Sequence, residues 1–239
     1  MRNGSAGGSA NRSVLEVVVL TVLVFVVATV AGVAFIVPLV ALGYGIQTTP
    51  VLVGVTAVSQ LAMFALGYWY CRRRDLRVPL SVPTLSESGY VLGGVVLALV
   101  VAVGLSALLV ALDLLPGSVI GDTATTNPTY LLGLAALSVV LVAPVEEFVF
   151  RGVIQGRLRQ HFGPVPAVAG SSLLFGSMHL ANYSGRALPI VAGALMIAVV
   201  GAVFGSLYER TDNLAVPIAV HATYNVVLLV VSYVATTSA

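Results

Sequence analysis

The chain contains no lysine and a single cysteine, Cys71, and only 8% of its 239 residues are charged. Soluble domains carry about 25% charge, so a soluble globular reading is excluded. The lone cysteine excludes an intrachain disulfide framework and a cysteine-rich metal site. A net charge of +2 implies no nucleic-acid partner. There is no His-Glu-x-x-His helix and no Gly-x-Ser-x-Gly, so the ordinary zinc-protease and serine-elbow signatures are missing. No internal repeat supports an inverted-repeat transporter.

What is there is apolar: 59% of the residues are hydrophobic and the mean hydropathy is +1.05. Apolar runs at 14–37, 51–70, 89–112, from 129 onward, 164–181, 188–208 and 215–234 predict an all-α, polytopic membrane helix bundle. About seven spans are expected, with eight the alternative count. Residues 1–13 are rich in Gly and Ser and read as a disordered polar N-terminus. The run Val14–Val37 is too long for a signal-peptide core and reads as a retained anchor. Residues 14–128 form an N-terminal three-span region, and 129–235 form a four-span core. With the N-terminus inside, ten of the eleven arginines fall on the inner side and only Arg186 on the outer. The positive-inside rule then puts the N-terminus in the cytoplasm of a multi-pass cell-membrane protein. Ala194, Ala198, Gly201, Ala202 and Gly205 share one face of their span, as close helix packing requires.

The unusual residues lie in the second half. Glu146 and Glu147 end the run that starts near Leu131. Ionisable groups at membrane depth cost about 2–4 kcal/mol each, and their default reading is functional. Glu147 and Arg151 are four apart, so on a helix they pair. Glu146 is rotated by about 100° from its neighbour and is free to act elsewhere. His179 follows Phe175 by four residues, and Asn225 follows His221 by four.

A hairpin argument brings these groups together. If the helix carrying the glutamates runs to about Gln160 and turns at Phe162–Gly163, the glutamates precede the turn by about 16 residues and His179 follows it by about 16. Both arms rise 1.5 Å per residue, so the groups stand level. The returning helix would end near Asn182, leaving 182–186 as irregular backbone at depth. Such backbone is tolerated only inside protein or beside a wet cavity. A Glu, two His and an Asn around such a cavity suit hydrolysis. A carboxylate takes a proton from water with a histidine sharing it, and His and Asn donate to an oxyanion. Glu146, His179 and His221 could instead hold a divalent metal such as zinc.

The motifs Glu146-Glu147-x-x-x-Arg151, Phe175-x-x-x-His179 and His221-x-x-x-Asn225, in that order on consecutive apolar spans, resemble those of the CPBP family of intramembrane proteases. That family includes the type II CAAX prenyl endopeptidases and the abortive-infection and bacteriocin-processing relatives. The turn Thr211–Leu214 with Pro217 is also similar. The resemblance covers about residues 129–230. It implies a metalloprotease-like endopeptidase acting on a membrane protein or peptide, prenylated in the CAAX case, with its site near the cytoplasmic side. It implies Glu146 as general base on water assisted by His179, His221 and Asn225 as the oxyanion site, and Glu147 paired with Arg151, with Phe175 in support. The family is often labelled metal-dependent, and a metal-free glutamate mechanism is also proposed for it. The alternative is a non-catalytic scaffold or immunity protein that keeps the fold. A proton relay through the carboxylates is a further rival.

Overall fold

The structure, a computed structural model, describes residues 4–238. Its helices are α1 (Gly4–Ala41), α2 (Thr49–Arg74), α3 (Leu85–Ala111), α4 (Val119–Thr126), α5 (Thr129–Arg159), α6 (Pro164–Met178), α7 (Ala187–Thr211) and α8 (Ala215–Thr237). All but α4 and α6 are long and apolar enough to cross a membrane. Large aliphatic side chains stay exposed along the outer faces of α1, α3 and α8. An all-α polytopic bundle with a lipid-facing surface accounts for that exposure.

The fifth apolar segment differs from the rest. Helix α6 has 15 residues, about 22 Å, which is short of the roughly 30 Å hydrocarbon core. It starts at Pro164 after Gly163 and ends at Met178, four residues before the Asn182 that the hairpin argument gives. A 3₁₀ turn, Leu180–Asn182, and an extended pair, Tyr183–Ser184, complete the passage. That pair (β2) forms an antiparallel ribbon with Gly117–Ser118 (β1), and Arg186 pairs with Asp113 at 2.9 Å. The segment after α6 therefore lies with the loop that follows α3, at the opposite end from the arginine-rich loops.

The N-terminal stretch is corrected. Residues 4–13, read from sequence as disordered, are the first turns of α1; residues 1–3 lie outside the described residues. Arg12 pairs with Glu16 at 3.1 Å, one turn along the same face. Glu16, unremarked in the sequence, also accepts from Arg74 (2.6 Å), Arg157 (3.0 Å) and Tyr70 (3.1 Å), tying α1, α2 and α5 at one end of the bundle. At that end Asn213 donates to Glu87 and accepts from Ser81 and Ala215.

Two apolar clusters fill the interior. One joins α1, α2, α5 and α6 through Val24, Met63, Val149, Phe150 and Phe175. The other joins α3, α7 and α8 through Ala98, Phe204, Val216 and Val220. The small residues of α7 let them meet. Gly201 lies under the Phe175 ring and the Arg151 guanidinium, and Gly205 under Gln155 and Val168. Facing them, Gly176 of α6 rests on Ala194 and Ala198; a Cβ there would strike the Ala194 carbonyl oxygen. Gly176→Ala is expected to cost about 1–3 kcal/mol, since close-packed backbones cannot absorb the methyl group. A melting curve in detergent checks this, and an unchanged midpoint would refute the close approach.

Candidate active site

Helix α5 is one rod with two wide turns. Ser138–Val142 and Phe148–Gln155 are π-helical, on either side of the α-helical Ala143–Glu147. Pro144 accounts for the first. It has no N–H, and its ring crowds the carbonyl four residues back, which a wider turn relieves. Such π segments recur at functional sites. Between them the adjacent carboxylates diverge. Glu146 lines a cavity of about 570 Å³, whereas Glu147 does not.

Glu147 is fully buried, with Oε2 at 3.1 Å from Arg151 Nε, an ion pair four residues apart as the sequence predicts. The contact lacks hydrogen-bond alignment, and no acceptor among the described residues takes the Arg151 N–H groups. Its guanidinium instead lies over the faces of Phe175 (4.8 Å) and Phe204 (5.9 Å). Cation–π attraction strengthens when the cation is desolvated, so these rings replace part of the lost hydration. Phe175 and Phe204 come from the two apolar clusters, and Arg151 sits at their seam.

On its other oxygen, Glu147 accepts from His221 Nδ1 at 2.8 Å. A carboxylate only accepts, so Nδ1 carries the hydrogen and Nε2 faces Glu146, 3.8 Å from its Oε2. His221 thus stands between the two carboxylates, stacked on Phe204 at 4.8 Å. His179 closes α6 with φ −91° and ψ 0°, a sparsely populated region where active-site residues are often found. Its Nδ1 donates to the Phe175 carbonyl at 2.9 Å. Its ring meets Phe175 edge-on at 4.7 Å.

Glu146, His179, His221, Asn225 and Phe175 all line the one cavity. Glu147 and Arg151 do not; they stand behind His221 as a second layer. Asn225 Nδ2 donates to Ser138 Oγ at 3.4 Å. Sequence reasoning missed Ser138 and also Gln60 of α2, whose Nε2 donates to Glu146 Oε1 at 2.9 Å. Its one signal was an amide in the middle of the Val51–Tyr70 span. Phe204, which stacks on His221, carried no signal beyond its size.

As a metal centre the site fits poorly. Among the described residues no three His, Cys, Asp or Glu side chains converge as a ligand set. That includes Glu146, His179 and His221, and the first of these already accepts from Gln60.

A model of the family described as type II CAAX prenyl endopeptidase Rce1-like matches residues 128–227. The match holds all three CPBP motifs. Neither curated proteins nor solved structures give a match. The match spans 100 of the 239 residues.

Proposed function

We propose, with the family of residues 128–227 as premise, that this chain is an intramembrane endopeptidase of the CPBP type. Its chemistry would reside in the 129–235 core. The observation that carries the proposal is the convergence of Glu146, His179, His221 and Asn225 on one cavity, with only Glu146 of the two glutamates exposed to it. Glu146 takes a proton from a water molecule, and the oxygen attacks the peptide carbonyl. His179 holds its Nδ1–H on Phe175 and shares the water's proton through Nε2. The tetrahedral oxyanion receives hydrogen bonds from Asn225 Nδ2 and from His221. With Nδ1–H on Glu147, His221 donates from Nε2 only as the imidazolium, and Glu147 is its counter-ion. The proton on Glu146 then passes to the leaving amine.

The arginine-rich end, with Arg74, Arg157, Arg159 and Arg210, is taken as cytoplasmic. Glu146 precedes Arg159 by thirteen residues, about 20 Å along the helix, so the site stands well inside the bundle. An apolar cavity wall suits an aliphatic or prenyl chain on the substrate.

The proposal is tested with purified protein in lipid vesicles, given membrane peptides with and without a prenylated C-terminal cysteine. Native protein is expected to cleave, and His179→Ala and His221→Ala to lose at least about 100-fold in kcat while remaining folded. If those variants supported full function in cells and no peptide were cut, the scaffold reading would replace this one.

A further inference from the structure

Helix α2 lies outside the family match, yet it supplies a polar contact to Glu146. Three polar side chains interrupt its apolar middle: Thr56, Ser59 and Gln60. Thr56 donates to the Leu52 carbonyl at 3.0 Å and Ser59 to the Ala28 carbonyl at 2.9 Å, both ordinary backbone bonds. Gln60 alone reaches across to a side chain of the site.

The bond orients both partners. The Glu146 carboxylate only accepts, so the Gln60 nitrogen must face it and the Gln60 oxygen must face away. That oxygen is buried and has no partner among the described residues. Gln155, the buried amide of α5, shows the contrast. Its Nε2 donates to the Gly205 carbonyl and to Glu209, and its Oε1 accepts from Ser171. An amide that only holds helices together is satisfied at both ends, as Gln155 is. Leaving a buried acceptor unmade is costly, and Gln60 does so at the wall of the cavity.

We propose that Gln60 is a positioning residue for the hydrolytic reaction: its Nε2–H fixes the carboxylate of Glu146 in the orientation that takes the proton of the attacking water. The inference rests on the endopeptidase reading above. It makes the N-terminal helices part of the site, because the base is aimed from α2 as well as from its own helix.

Steady-state cleavage by native protein, Gln60→Leu, Gln60→Glu and Gln60→Asn tests it, with melting temperatures measured in parallel. Gln60→Leu removes donor and acceptor. It is expected to lower kcat about 10- to 100-fold with KM near native, at an unchanged melting temperature. Gln60→Glu sets a second carboxyl group beside Glu146, the two share a proton, and the acid limb of the kcat profile moves to higher pH. Gln60→Asn keeps the amide one methylene short and recovers part of the activity lost in Gln60→Leu. A structural role would instead lower melting temperature and activity together and leave the pH profile of Gln60→Glu unmoved, which overturns the proposal. Native-like kinetics in Gln60→Leu, with Glu146→Gln inactive, also overturns it and leaves the endopeptidase standing. No cleavage by native protein removes both. Should Gln60→Leu fail to fold, the pH profile of Gln60→Glu decides.

Discussion

Glu146→Gln is expected to lower kcat by about 10²- to 10⁴-fold, the range that a positioned general base contributes, while the protein folds as before. The substitution keeps shape and removes the base. The amide oxygen of the new residue can still accept from Gln60 Nε2, which lies 2.9 Å from the carboxylate now. His221 keeps its 2.8 Å bond to Glu147, so the second layer is untouched. Progress curves on a cleaved peptide, with melting curves beside them, check both halves. Retained cleavage would remove Glu146 from the role of base. Lost cleavage with lost folding would make it structural.

Arg151→Met is expected to cost about 3–5 kcal/mol of stability, because it breaks a fully buried ion pair by removing one partner. Both side chains are fully buried. The effect should be larger than for any exposed arginine, since surface pairs contribute about 0–1 kcal/mol. Glu147→Gln combined with Arg151→Met is expected to recover most of the loss, as neutral replacements of a buried pair commonly do. Activity should not recover, because the His221 imidazolium loses its carboxylate counter-ion. Unfolding titrations of the single and double variants in mixed micelles measure the stability. Equal stability of all three would mean that the pair is not felt by the fold.

Much of the site was legible because its spacings are local. Glu147 with Arg151, Phe175 with His179 and His221 with Asn225 are each four apart, and a helix turns that spacing into a shared face. The level of Glu146 against His179 followed from equal arm lengths around the turn at 160–163. The stop near Asn182 followed as well, and the structure has a 3₁₀ turn and a short ribbon there.

What was not legible depends on distant parts of the chain. Gln60 and Glu146 are 86 residues apart, and nothing in either segment names the other. The π turns in α5 depend on Pro144 and on what packs around it, so a uniform 3.6-residue period missed them. Glu16 looked like one charge in an apolar run until Arg74 and Arg157 met it. The Gly- and Ser-rich start looked disordered by composition. Composition ignores what a long following helix can propagate backward, since extending a helix is far easier than starting one. The count of spans had a similar limit, because α6 is as apolar as the others but only 15 residues long.

The most direct measurement is a single-turnover cleavage in H₂¹⁸O, with native protein in excess over a membrane peptide and intact masses read for both. The proposed chemistry predicts two fragments, one ¹⁸O in the new C-terminal carboxylate, no mass added to the protein, and none of this with Glu146→Gln. An intact peptide, or a fragment held covalently on the native protein, would contradict water activation by Glu146.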